Sequence, residues 1–135
     1  MLSDATRVEL AADLAQAESS RVGIAPLTAA YPDIDVVDAY EIQLINIEER
    51  LASGAKVVGH KVGLSSKAMQ QMMGVDEPDY GHLLDEMQVF EDVPVQTSRY
   101  LLPRVEVEVG FILSDDLPGA ECTEDDVLAA TAALV

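Results

Sequence analysis

The sequence predicts an α+β protein, with helices in its first 52 residues and strands after them. Apolar residues return every three or four positions from Val36 to Ala52, as on a helix with one buried face. After Gly54 the texture becomes β-branched and glycine-punctuated in "KVVGHKVGL". Further on, "RVEVEVGFIL", Arg104 to Leu113, alternates strictly, as a half-buried strand does.

With 135 residues, 49% of them hydrophobic, the chain can bury one core but not two. No apolar run approaches the ~20 residues needed to cross a bilayer, and the start, "MLSDATRVEL", has no basic segment followed by an apolar one. A cytosolic protein with no membrane partner is expected. The net charge of −17 argues against nucleic acid, whose phosphates need clustered Lys and Arg; between Asp76 and Asp126 only Arg99 and Arg104 are basic. Cys122 is the single cysteine, so no internal disulfide forms, and it reads as a small residue before a helix rather than a reactive thiol.

Ser3 to Arg21 reads as a helix capped by Ser3 or Asp4, with Val8, Ala11, Ala12, Leu14 and Ala15 as its apolar stripe. Pro26 and Pro32 interrupt it. The second helix, Val36 to Ala52, is capped by Asp35 and ends near Gly54; its stripe is Val36, Val37, Tyr40, Leu44, Ile47 and Leu51. A strand follows from Lys56 to Leu64. "SSKAMQQMMG" reads as a short helix capped by Ser65 or Ser66 and closed by Gly74, with Met69, Met72 and Met73 lining a core or pocket. "VDEPDYGHLLDEM" reads as a loop because of Pro78 and Gly81. Strands are expected at Met87 to Phe90 and Arg99 to Leu102, then Arg104 to Leu113. Thr123 with Asp126 caps a last helix that runs to Val135 with no polar close, as though the chain were cut there.

Along a strand, residues two apart share a face at roughly 7 Å, so Glu106 and Glu108 present neighbouring carboxylates while Val105, Val107 and Val109 point into a core. The pair suits either water or a hard divalent cation, and alternation alone favours a solvated face. Lys61 lies between Gly59 and Gly63, and the same choice holds for it: an exposed edge-strand lysine, or a cation beside backbone that a ligand can approach. His60 and His82 lack zinc-site spacing and read as packed or hydrogen-bonded. No phosphate-binding loop or GxGxxG occurs.

Together, "GHKVGLSSKAMQQMMGVDEPDYGHLLDEM" and "PRVEVEVGFIL" resemble the 2-hydroxypenta-2,4-dienoate (2-keto-4-pentenoate) hydratases of the fumarylacetoacetate hydrolase superfamily. The likeness runs from the first helix to the last residue, covers only the N-terminal half of such enzymes, and is closest to actinobacterial steroid-pathway hydratases. It implies a helical N-terminal region (residues 1–55) followed by the first portion of a mixed β-roll that holds the active site (residues 56–135), truncated. It also implies Mg²⁺ or Mn²⁺ at Glu106 and Glu108, with a third acidic ligand beyond Val135. Lys61 and Asp79 fall on catalytic positions, and Gly63, Leu64 and Met73 on substrate-binding ones. The implied activity is hydration of small 2-hydroxydienoates in aromatic or steroid ring catabolism, by a homo-oligomer whose further partner is the downstream aldolase of the pathway. The sister 2-oxo-3-hexenedioate decarboxylase is the nearest alternative, and an inactive fragment or partner-binding module the other.

Overall fold

A computed structural model describes all 135 residues, Met1–Val135. The backbone forms two compact units, Met1–Leu102 and Pro103–Val135. It is α+β throughout, with helices and two small antiparallel sheets.

The first unit begins with helix α1, Asp4–Ser20. The Ser3 hydroxyl accepts from the Thr6 N–H, and Arg21 ends the helix in a left-handed conformation. A single helical turn, α2 (Leu27–Ala30), follows Pro26, whose fixed φ suits a helix start. Helix α3, Val36–Ala52, opens with a reciprocal cap: the Asp38 N–H donates to the Asp35 side chain while the Asp35 N–H donates to Asp38. Leu10 and Ala11 of α1 pack with Ile42 of α3, and Leu2, Leu27, Tyr31, Ile34 and Ile45 close over them.

The expected helix spans hold, and their stripes hold at Ala11 and Ile47 but are otherwise displaced. The buried positions are Leu10, Ala11 and Ala17 on α1 and Asp38, Ile42 and Ile47 on α3, while Val8, Val36 and Val37 are exposed. The displacement follows a polar contact at the helix starts. Asp38 is fully buried, and it accepts from the Leu2 N–H and from Nε and Nη2 of Arg7. Satisfying that carboxylate fixes the rotation of both helices.

Strand β1, Val57–Gly63, is followed by helix α4, Lys67–Met73, capped by Ser66 and closed by left-handed Gly74. The chain returns in strand β2, Asp79–Leu84, antiparallel to β1. The loop expected here is therefore a strand. Pro78 only precedes it, and Gly81 is a paired residue opposite Lys61, so neither breaks the ladder. The ladder continues where the Asp85 N–H donates to the Lys56 carbonyl, and Leu84 is 1% exposed. The strands expected at Met87 to Phe90 and Arg99 to Leu102 are not formed; 3₁₀ turns occupy Asp85–Met87 and Thr97–Arg99. Met69, Met72 and Met73 are exposed, not core.

In the second unit, strand β3 covers only Phe111–Leu113 of the expected Arg104 to Leu113 run. Residues 104–110 have no regular structure, and Val105 and Val107 are 96% and 98% exposed rather than in a core. Alternation creates two faces, but a strand also needs a partner, and none pairs with 104–109. The last helix is also shorter than expected. Helix α5, Glu124–Ala130, carries the Thr123–Asp126 cap, and then the chain turns into strand β4, Thr131–Leu134, antiparallel to β3. Gly110 and Val135 exchange both backbone hydrogen bonds at 2.8 and 2.9 Å. Ladder pairing here overrides the helical preference of the alanines. No helix is long and apolar enough to cross a membrane.

Candidate active-site face

The β1–β2 register decides which side chains meet. Lys61 is opposite Gly81, Gly63 opposite Asp79, and Gly59 opposite Leu83. Residues directly opposite, and residues two apart, share a face, so Lys61, Gly63, Asp79 and Gly81 lie on one side of the hairpin. Three of the positions around Lys61 (Gly59, Gly63 and Gly81) carry no side chain. The result is an ammonium and a carboxylate over an open floor of backbone. A Cβ built at Gly63 would collide with Asp79 Oδ1. A side chain there would make the Asp79 carboxylate turn aside.

Leu64, next along the chain, has φ 52°, a left-handed conformation that non-glycine residues seldom adopt. Its carbonyl accepts from Gln70 Nε2 at 2.7 Å, and Lys67 Nζ donates to Gln70 Oε1 and to the Asp76 carbonyl. Gln70 is 2% exposed. The α4 helix therefore holds Leu64 in its strained turn through a buried amide. Sequence reasoning missed Gln70, whose one signal was a glutamine one turn inside a capped helix. It also missed Tyr40 of α3, which stacks on Tyr80 at 4.8 Å and accepts the Tyr80 N–H through its hydroxyl. Met73 lies at the exposed end of α4.

Glu106 and Glu108 lie in the second unit, two residues apart in the irregular exposed segment before β3. Their carboxylates are the donor type that a hard divalent cation takes. No group of three or more His, Cys, Asp or Glu side chains gathers into a metal-holding cluster, so the pair fits such an ion in chemistry and falls short of it in number.

No family profile matches the chain. Individual relatives do. It is 45% identical over 130 residues to the 2-hydroxypent-2,4-dienoate hydratase of Pseudomonas putida, covering 94% of this chain and 58% of that protein. It is 45% identical over 124 residues to the 2-keto-4-pentenoate hydratase of Paraburkholderia xenovorans, covering 92% of this chain and 46% of that protein. By sequence the chain is similar to proteins named 2-keto-4-pentenoate hydratase and 2-hydroxypent-2,4-dienoate hydratase. A solved structure similar to this chain is the 4-oxalocrotonate decarboxylase of Pseudomonas putida G7, complexed with calcium and acetate. The TM-score is 0.92 at 32% identity, over 99% of this chain and 52% of that one. The same decarboxylase complexed with magnesium and adipate matches with a TM-score of 0.90. The fold is accordingly that of the fumarylacetoacetate hydrolase-like enzymes, as the resemblance implied. The chain spans about half the length of the curated relatives it matches.

Proposed function

We propose that the whole protein is a hydratase that adds water to small 2-hydroxy-2,4-dienoates and releases 4-hydroxy-2-oxoalkanoates. The observation that carries this is the placement of Lys61 and Asp79 on one face of the hairpin, beside Gly63 and Gly81, in a chain 45% identical to named hydratases. Glu106 and Glu108 would hold Mg²⁺ or Mn²⁺, with a third acidic ligand from sequence beyond Val135. That ion supplies Lewis acidity at the 2-oxygen of the substrate when bound. A helical region over residues 1–55 and a roll portion over residues 56–135 belong to this reading, as do cytosolic location, a homo-oligomer and a downstream aldolase partner.

The dienol loses its 2-hydroxyl proton and gains one at C5, giving a conjugated 2-oxo-3-enoate. Water then forms a bond to C4 while a proton is added at C3. Lys61, as an ammonium, binds the substrate carboxylate or delivers a proton, and its open surroundings let the carbon chain lie along the strand. Asp79 accepts the proton of the attacking water. Gly63 and Leu64 form the wall beside them, and Met73 is the substrate contact from α4.

A second reading, decarboxylation of 2-oxo-3-hexenedioate, is favoured by the 0.92 TM-score to a decarboxylase. Hydration is preferred because the hydratase relatives are more similar in sequence, at 37–45% identity against 32–33%. Lys67, the other lysine of that motif, is occupied by Gln70 Oε1 and the Asp76 carbonyl rather than turned to a second carboxylate. The steroid-ring setting is the narrower form of the proposal; a 2-hydroxyhexa-2,4-dienoate hydratase from Comamonas testosteroni, 44% identical over 111 residues, supports a substrate longer than five carbons. The test is diene absorbance with full-length protein and Mg²⁺, with and without chelator. Chelator-sensitive loss of a 2-hydroxydienoate supports hydration; release of carbon dioxide from the hexenedioate alone selects the decarboxylase; turnover of neither rejects both.

A further inference from the structure

The face of the hairpin away from Lys61 carries a second cluster. His60 is directly opposite His82 in the register, and their ring centroids are 4.8 Å apart with planes inclined at 59°. Tyr80 shares that face, its ring 6.5 Å from His60 and 6.3 Å from His82. His60 is exposed and His82 half-buried. The Nδ1 atom of His82 is buried and has no hydrogen-bond partner. Buried polar atoms are ordinarily satisfied, so this nitrogen calls for an explanation.

Imidazole nitrogens ligate borderline metals, and ring spacing tests whether two can share one ion. Each nitrogen lies roughly 1.2 Å from its ring centre, so two imidazoles about 2.0 Å from one tetrahedral ion set their centroids roughly 5 Å apart. The observed 4.8 Å matches that spacing. Direct cross-strand pairing supplies it from the backbone, without a long side chain having to be ordered.

We propose that His60 and His82 form a two-nitrogen site for a borderline divalent cation of the Zn²⁺, Ni²⁺ or Cu²⁺ kind, completed by water. Its donors are softer than the Glu106 and Glu108 carboxylates, so it selects a different metal. An ion bound there ties β1 to β2, the strands that carry Lys61 and Asp79 on the opposite face. The site does not rest on the hydratase reading.

The test is Zn²⁺ titration of the chain by calorimetry in excess Mg²⁺. One Zn²⁺ should bind per chain, unchanged in Cys122→Ser and in the Glu106→Gln, Glu108→Gln double variant. Binding should weaken at least tenfold in His60→Gln and in His82→Gln. Cu²⁺ bound to the Cys122→Ser protein should give an electron paramagnetic resonance spectrum split by two nitrogens, a readout that needs no histidine variant to fold. Zn²⁺ affinity indifferent to both histidines, or a Cu²⁺ spectrum without two nitrogens, overturns the site.

Discussion

Asp79 occupies the space that a side chain at Gly63 would need, across the β1–β2 ladder. In its present rotamer the carboxylate stands where a Cβ at its cross-strand partner would lie. Gly63→Ala should turn the exposed Asp79 carboxylate aside, with little loss of stability and a loss of turnover in the full-length protein. Urea unfolding monitored by circular dichroism, together with the diene absorbance assay, checks this. Unchanged turnover in the full-length protein would mean that the Asp79 position is not fixed by this contact.

Lys61→Ala should leave the fold intact, since the residue is exposed on a strand. In the full-length enzyme turnover should fall by ~10² or more, as when a general acid-base group is lost. If stability falls while activity survives, the lysine is structural.

Asp38 makes the helical pair acid-sensitive. Burial alone would raise its carboxyl, but the Arg7 hydrogen bond and the Leu2 and Asp35 N–H groups outweigh that and hold it below the ordinary 3.8. A carboxyl lowered on folding adds stability that is fully present above the ordinary carboxylate range and is lost as pH falls through the folded value. The melting temperature should therefore drop as pH goes below about 4. Asp38→Asn should melt lower at neutral pH, with the gap to the parent chain closing in acid. A gap that stays constant with pH would assign the loss to packing.

Much of this was legible from local chemistry. Asp35 and Thr123 are caps where the sequence placed them, and Ser3 and Ser66 are the caps out of the pairs Ser3 or Asp4 and Ser65 or Ser66. Lys56 to Leu64 was readable as a strand because its β-branched residues flank Gly59. Partnership between distant segments was not legible. Asp79–Leu84 is a strand because β1 lies beside it, and Arg104–Val109 is not one because no strand is in register with it. The alanines after Thr131 leave the helix for the same reason, a ladder with β3. The Lys61–Asp79 face needed the register as well, since sequence alone does not say that Gly81 is opposite Lys61. The motif resemblance supplied Asp79, whose own pattern reads as a turn.

Glu106→Gln with Glu108→Gln removes both anionic oxygens from a hard-cation site. In the full-length protein Mg²⁺ affinity should fall by roughly tenfold or more, the range seen when even a hydrogen-bonding neighbour of a metal ligand is removed. Calorimetric titration measures it. Mg²⁺ binding retained by the double variant would place the metal elsewhere.

The isolated 135-residue chain sets two forces against each other. Val105, Val107, Val109, Leu128, Leu134 and Val135 of the second unit are exposed, as are Val58, Met72, Phe90 and Leu102 of the first. Apolar surface of that extent favours association. Ala130 is buried, and one edge of β3 is paired with β4. A net charge of −17 opposes association, but only over about a Debye length, roughly 30 Å at 0.01 M salt and 8 Å at 0.15 M. Short-range apolar contact should therefore win as salt is added. Light scattering should give a mass near 14.5 kDa in dilute buffer and a larger one at physiological salt. The same chain should bind Mg²⁺ weakly, with two carboxylates and no third, and should not hydrate a dienoate. A chain that stays monomeric at every salt concentration and turns over substrate would refute both the association and the count of metal ligands.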